Sequence, residues 1–295
     1  MPRKISGTYC FHQVKGKMLE KISIQAGRYK KKGPFESYQK FKKMLPLKIL
    51  DVNSKGKLIY FTFENNIWML NTLGLTGGWF YEKNNIIYHP LNNRYITSEK
   101  TNAYMKNALN HRNIKFDIGN ETIYFYDQLS FGTIRIIDQV EKFNKIINLL
   151  GPDIMNLHTT FDIFKENIKK KSTLDKHIGN VLMNQRNVCG IGNYLRADAL
   201  WMSRISPFRK IKNLTDAEFL KIYNSVRFLI WSEYNYNKGV KLGIIDTKTK
   251  TPTYYDRDFF IYDQKTDIYG NKVTKEELFE GSQKRFIYWV PKLQK

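Results

Sequence analysis

The stretch NQRNVCGIGNYLRADAL, residues 184–200, carries the strongest indication of fold and function in this sequence. At its centre, Gly190-Ile191-Gly192-Asn193 lies between two segments with helical spacing of apolar residues. Two glycines one residue apart permit a tight turn with outward-pointing N–H groups, and a helix beginning there favours an anion. Asn193 either caps this helix or donates its amide to a phosphate. An ordinary corner between two helices has the same pattern, so the turn alone does not decide between them.

The charge balance of the chain favours a polyanionic partner. The 295 residues include 49 Lys and Arg against 27 Asp and Glu, a formal net charge of +22. Phosphate backbones are the commonest such partner, and an anionic membrane surface is the alternative. No stretch approaches about 18 uninterrupted apolar residues, so no membrane span is predicted. The apolar content of 42% is enough for a packed core and argues against disorder.

The two cysteines, Cys10 and Cys189, exclude a zinc site with four thiolates and a disulfide framework. The first 17 residues contain no apolar segment of the signal-peptide type. We therefore expect an intracellular protein without a structural metal. Nothing in the sequence indicates a cofactor or an oligomer, so a monomer without a cofactor is predicted.

Three parts of the chain differ in their apolar periodicity, which predicts the fold class α+β. Residues 1–148 contain short alternating runs broken by turn residues, typical of an antiparallel β domain, with Ser37–Leu45 as a short connecting element. Residues 149–238 have helical spacing, and Thr215 and Glu218 have the spacing of a capping box. In residues 239–295 we expect paired strands on either side of a Gly270-Asn271 turn.

The central stretch resembles the helix-two-turns-helix motif of the formamidopyrimidine-DNA glycosylase and endonuclease VIII family. The family's Gln, Gly-x-Gly-Asn and later acidic residue correspond to Gln185, Gly190, Gly192, Asn193 and Asp198. The last of these is a Glu in the usual pattern. The resemblance implies that the two glycines and the asparagine contact DNA phosphates.

Further motifs resemble the same family in the same order along the chain. NSKGKLIYF places Lys57 where the family has a basic residue near the DNA backbone, and LLGPDIM matches its junction between domains. NTLGLTGGWF resembles the loop that inserts a wedge side chain into the duplex, which is Leu75 here. With the second wedge loop and the C-terminal stretch described next, five such motifs in family order make the resemblance specific.

A second wedge loop of the family, usually Asp-Pro-Arg-x-Phe-Gly, resembles YDQLSFGT. Asp127, Phe131 and Gly132 match, and Leu129 stands in place of the Arg. The resemblance implies that Phe131, like the leucine of the first loop, fills the gap left by an extruded nucleotide. The alternative for both apolar side chains is ordinary core packing.

The C-terminal stretch, FIYDQKTDIYGNKVTKEELFEGSQKRFIYWVP, resembles the zincless finger of endonuclease VIII-like proteins, with Arg285 at its DNA-contacting arginine. The resemblance implies an antiparallel β-sandwich over 1–148, a helix-two-turns-helix domain over 149–238 and a zincless-finger β-hairpin over 239–295. It also implies a DNA glycosylase and AP lyase acting on oxidised bases or abasic sites. Its nucleophile would be the amine of Pro2, which is exposed when Met1 is removed and forms a Schiff base. Its partner would be damaged DNA, double- or single-stranded.

The residues after Pro2 depart from the family's Pro-Glu start. Arg3 follows, and the first acidic residue of the chain is Glu20. Loss of a positioned general acid lowers a rate by about 10²–10⁴. Either this carboxylate is missing or the natural start lies upstream. The alternative function is therefore a catalytically impaired or inactive relative that binds damaged or bent DNA, and a further alternative is a basic packaging protein with the same fold.

Overall fold

The computed structural model describes residues 13–84, 86–89, 94–97, 109–237, 243–245, 252–254, 259–280 and 283–295. Pro2 and Cys10 therefore lie outside the described residues. The chain divides into two compact units, of which the first ends at Ile147 and the second begins at Asn148.

Two antiparallel sheets build the first unit. The strands are β1 Met18–Leu19, β2 Lys21–Ile24, β3 Leu47–Lys55, β4 Leu58–Phe63, β5 Ile67–Thr72, β6 Gly78–Lys83, β7 Ile86–His89, β8 Arg94–Thr97, β9 Arg112–Ile118, β10 Glu121–Tyr126 and β11 Thr133–Ile137. One sheet has the order β1-β3-β4-β5-β11, and the other has the order β2-β9-β10-β6-β7-β8. The chain therefore changes sheets from β1 to β2, from β2 to β3, from β5 to β6 and from β10 to β11, while the other consecutive strands share a sheet.

Alternating burial explains why the two sheets face each other. Along β4, every second side chain, beginning with Ile59, is buried. The buried Trp79 of the other sheet has ring centroids of Phe61, Phe116 and Phe125 within 5.4 Å. A period-two pattern directs one face of each sheet into a shared core. The predicted α+β class with an N-terminal β-sandwich is confirmed.

Short helices flank this sandwich. They are α1 Gly27–Lys31, α2 Tyr38–Met44 and α3 Val140–Asn148. The connecting element predicted around α2 is thus helical, and it buries Tyr38 and Phe41. Phe143 of α3 stacks on Trp68 with ring centroids 4.5 Å apart.

The second unit is helical and ends in a hairpin. Its elements are α4 Phe161–Ile168, α5 Ile178–Val181, α6 Asn193–Met202, α7 Asp216–Asn237, β12 Gly243–Ile245, β13 Pro252–Tyr254, β14 Thr274–Glu280 and β15 Gln283–Trp289, with 3₁₀ turns at Lys171–Thr173 and Ile211–Asn213. The predicted capping box is confirmed. The Thr215 N–H donates to the Glu218 carboxylate over 2.8 Å, and the Glu218 N–H donates to the Thr215 hydroxyl over 3.3 Å.

The expectation of strands on either side of Gly270-Asn271 is wrong. Strand β14 pairs with β15 from Thr274–Trp289 to Glu280–Gln283, so the hairpin turn comes later in the chain. Residues 264–271 instead close a compact turn around Asp267, whose Oδ1 accepts the N–H groups of Tyr269 and Asn271 over 2.9 and 2.8 Å. A carboxylate that satisfies turn amides competes with strand pairing, and apolar spacing does not show this.

Neither a membrane-spanning helix nor a cluster of metal-binding side chains occurs among the described residues. No helix there is both long enough and apolar enough to cross a bilayer. Among the same residues, no group of three or more His, Cys, Asp or Glu side chains could hold a metal ion.

Candidate nucleic-acid interface

Two loops of the first unit cross from one sheet to the other at the same place. Residues 73–77 lead from β5 to β6, and residues 127–132 lead from β10 to β11. Because β5 pairs with β11 and β6 pairs with β10, the loops have to lie side by side. The sheet order thus brings together the two loops that the sequence predicts as wedges.

Gly74 allows the backbones of the two loops to touch. It has a φ of +60°, and a Cβ built on it would lie 2.7 Å from the Gly132 nitrogen and 2.9 Å from the Phe131 Cβ. Any other L-residue would meet backbone there in a conformation that L-residues rarely adopt. The contact between the loops therefore depends on this glycine.

The carboxylate of Asp127 accepts hydrogen bonds from both loops. Asp127 is 1% exposed, and its side chain accepts the Thr76 hydroxyl proton and the Gly132 N–H, the latter over 2.6 Å. The Thr76 hydroxyl oxygen in turn accepts the Leu129 N–H over 2.9 Å. These hydrogen bonds fix the two loops relative to each other. The sequence singled out Asp127 as a motif match but gave no sign of Thr76.

Large apolar side chains project from these loops. Leu75 and Phe131 are each 62% exposed, and Leu129 is 45% exposed. The core-packing alternative is therefore wrong for Leu75 and Phe131. Apolar groups held in water on hydrogen-bonded loops are typical of surfaces that bind a partner.

Replacing Leu75 with alanine is expected to weaken binding to an abasic-analogue duplex by about tenfold, since one buried leucine contributes roughly 1.5 kcal/mol. The free energy of unfolding should change by less than about 0.5 kcal/mol, because the side chain is exposed in the free protein. Fluorescence anisotropy and urea unfolding measure the two quantities. Unchanged affinity would show that Leu75 does not enter the duplex.

Lys57 lies at the same end of the five-stranded sheet as the two loops. It occupies the turn between β3 and β4 and is exposed. The next residue, Leu58, pairs with Thr72, which pairs with Thr133. These two threonines adjoin the two loops, so a cation and both apolar loops share one edge of the first unit.

The glycine turn of the second unit is held by Gln185. Gly190 has a φ of +105°, and its N–H donates to the Gln185 Oε1 over 2.9 Å. The Gln185 Nε2 donates to the Ile191 carbonyl over 3.0 Å. The Gly190 amide is thus used inside the turn and does not point outward as expected, so Gly190 gives the turn its shape.

Asn193 begins α6 but does not cap it. The N-cap position is Gly192, which has no side chain to cap the helix. Its Nδ2 instead donates to the Phe286 carbonyl of β15 over 3.2 Å. The neighbouring Arg285 is exposed. The start of α6, the positive end of the helix dipole, therefore lies next to the strand that carries this arginine.

Asp198, on the same helix, ties α6 to the segment before the hairpin. It is 1% exposed and accepts the N–H groups of Phe260, Ile261 and Tyr262 over 3.2, 3.0 and 3.2 Å. Burial raises the pKa of this carboxyl to about 6, although the three N–H donors lower it. The sequence identified Asp198 as a motif match without indicating these partners.

These features define a DNA-binding protein of the helix-two-turns-helix class. Three family models match the chain: the formamidopyrimidine-DNA glycosylase N-terminal domain at residues 8–134, its H2TH domain at 150–240 and its C-terminal domain at 247–295. The chain therefore belongs to the formamidopyrimidine-DNA glycosylase family. Members of this family are DNA N-glycosylases and AP lyases of base excision repair.

Known relatives agree with this assignment. A formamidopyrimidine-DNA glycosylase of Lactobacillus johnsonii is 25% identical over 262 residues, which cover 88% of this chain and 82% of that protein. That of Thermus thermophilus is 24% identical over 181 residues, covering 61% and 57%.

A solved structure shows the same fold. The Lactococcus lactis glycosylase, bound non-covalently to DNA containing an AP site, superposes with a TM-score of 0.71. The two sequences are 16% identical over 100% of this chain and 98% of that one.

Proposed function

We propose that this protein is a DNA glycosylase with AP-lyase activity that acts on oxidised bases or abasic sites in duplex DNA. Such a protein would be located at the DNA of the cell. Membership of the family supports the general activity, and the described surfaces support the recognition of a damaged nucleotide.

The observation that carries the proposal is the pair of exposed apolar side chains, Leu75 and Phe131, on loops fixed by one buried carboxylate. A glycosylase has to reach a sugar carbon that stacking hides, so it turns the nucleotide out of the duplex. Unstacking costs a few kcal/mol, and apolar wedges that fill the gap offset part of this cost. Rigid loops present such wedges without further ordering.

Backbone recognition is proposed for Lys57, Asn193 and Arg285, with Gly190 and Gly192 shaping the turn. Cations and helix N-termini are the groups that proteins use for phosphates. The net charge of +22 supports a salt-dependent affinity for DNA.

The proposed chemistry uses the amine of Pro2 that removal of Met1 exposes, and Pro2 lies outside the described residues. An α-amino group with a pKa of about 7.7–8.0 has a useful neutral fraction at pH 7. It adds to the C1′ aldehyde of an opened abasic sugar, water leaves, and an iminium forms. Loss of a C2′ proton then expels the 3′ phosphate by β-elimination.

Borohydride trapping on abasic-site DNA tests this chemistry. Hydride delivered to the iminium carbon leaves a stable amine bond between protein and DNA, which migrates as a covalent adduct in a denaturing gel. The natural chain is expected to give the adduct, and a Pro2→Gly variant should lose most of it while still binding the DNA. An adduct of equal yield from both proteins would contradict the requirement for the proline ring, because the glycine amine would then react as well.

A second candidate function is a DNA-binding relative with impaired catalysis. The absence of an acidic residue before Glu20 and the exposed Leu129 in place of the family's arginine favour it. This protein would prefer an abasic-analogue duplex over plain duplex but give no adduct. Equal affinity for both duplexes would instead indicate a packaging role.

A further inference from the structure

We propose that Arg196 is a positioning residue of the phosphate-binding site at the start of α6. The inference rests on the proposed function, because it assigns the group that holds Asn193 and the adjoining strand in place for DNA. Arg196 belongs to the central stretch of the sequence, but apolar periodicity gave it no role.

Arg196 is fully buried, at 0% exposure, which is unusual for an arginine. Burial of a guanidinium is tolerated where hydrogen bonds replace its hydration. Its Nη1 donates to the Gly179 carbonyl of α5 over 2.9 Å. Its Nη2 donates to the Asn193 Oδ1 and to the Phe286 carbonyl, the latter over 3.1 Å. One side chain thus links α5, the first residue of α6 and β15.

The shared Phe286 carbonyl makes the three groups one unit. It accepts from both Asn193 and Arg196, while Arg196 also donates to the Asn193 oxygen. Because a guanidinium only donates, the Asn193 oxygen has to face it, which fixes the orientation of the amide. The Asn193 Nδ2 then has one N–H for Phe286 and a second for a phosphate.

The same contacts set the place of the exposed Arg285, which precedes Phe286 in β15. Arginine keeps its charge at all ordinary pH values, so the buried guanidinium also adds a permanent positive charge behind the helix start. Both effects favour an anion at this end of α6. Arg196 acts through its neighbours and does not itself reach solvent.

The test measures equilibrium binding to an abasic-analogue duplex by anisotropy for Arg196→Met, Asn193→Ala and the double variant. Arg196→Met is expected to weaken binding by about tenfold, the effect of one lost charge-assisted contact. The double variant should bind about as Arg196→Met does, because the two residues act as one unit. Thermal unfolding first establishes that each variant is folded at the assay temperature.

Arg209→Met is the matched control. It removes the same charge from the same unit, but Arg209 donates to Glu218 and Asn213 and makes none of the contacts described for Arg196. Its affinity for the duplex should change by less than about threefold, because its side chain bonds to other partners than Asn193 and Phe286 and the charge itself is screened by salt. Its thermal unfolding reports the general effect of losing a packed arginine.

Arg196→Lys keeps the charge but cannot span the three acceptors, so its affinity should lie near that of Arg196→Met. It also serves as the test variant if Arg196→Met fails to fold. Natural affinity in Arg196→Lys, or additive losses in the double variant, would overturn the positioning role. Failure of the natural protein to bind the duplex would refute the proposed function instead.

Discussion

Replacing Asp198 with alanine is expected to lower the free energy of unfolding by about 3 kcal/mol at pH 5, because three buried N–H groups lose their acceptor. The N–H groups are those of Phe260, Ile261 and Tyr262, in the segment that leads to the hairpin. Urea unfolding followed by tryptophan fluorescence measures the change. Trp201, on the same helix, stacks on Phe260 and reports on this contact.

The pH dependence of this loss identifies its origin. Burial raises the pKa of Asp198 from 3.8 to about 6, so the folded chain holds this proton more tightly than the unfolded chain. Its contribution to stability is then fully present below about pH 4 and is lost as the pH rises through about 6. The difference between the natural chain and Asp198→Ala should therefore shrink from pH 5 to pH 7.

Asp198→Asn is the control for this prediction. Its amide oxygen can still accept from Ile261 and Tyr262, and it does not titrate. It should destabilise the chain less than alanine does at pH 5. The free energy of unfolding of Asp198→Asn should depend less on pH than that of the natural chain. A difference between the natural chain and Asp198→Ala that stays constant from pH 4 to pH 7 would contradict the assigned pKa.

The sequence predicts best those features that depend on local spacing. The capping box of Thr215 and Glu218 follows from two residues three apart, and the antiparallel β domain follows from short alternating runs. The wedge loops were identified by motif. Their contact through Gly74 follows from the order of the strands, which local spacing does not contain.

The features that the sequence did not predict depend on polar side chains with distant partners. Asp267 folds residues 264–271 into a turn where alternation suggested a strand, and it also accepts the Trp201 Nε1–H over 3.1 Å. Arg196 reaches a carbonyl 90 residues away. Hydrogen bonds of this kind depend on the folded geometry and have no periodicity along the sequence. The pattern of apolar residues therefore does not predict them.

Replacing Asp127 with alanine is expected to reduce the preference for an abasic-analogue duplex over plain duplex by about thirtyfold. The loss corresponds to about 2 kcal/mol, roughly the gain from burying one apolar wedge side chain in the duplex. Thr76 loses its acceptor at the same time, so the loops no longer hold Leu75 and Phe131 in one arrangement. Competition anisotropy with the two duplexes measures the preference.

Asp138→Ala is the matched control for this effect. It removes one negative charge from the same unit, but the Asp138 carboxylate pairs with Lys40 at the surface and contacts neither loop. If general electrostatics set the affinity, both variants should bind all DNA more tightly by a similar factor, since both raise the net charge. If the fixed loops recognise the lesion, only Asp127→Ala loses the preference for the abasic-analogue duplex. Its preference should then approach that of a Leu75→Ala, Phe131→Ala double variant. Retained discrimination in Asp127→Ala would mean that the loops are ordered by the DNA itself.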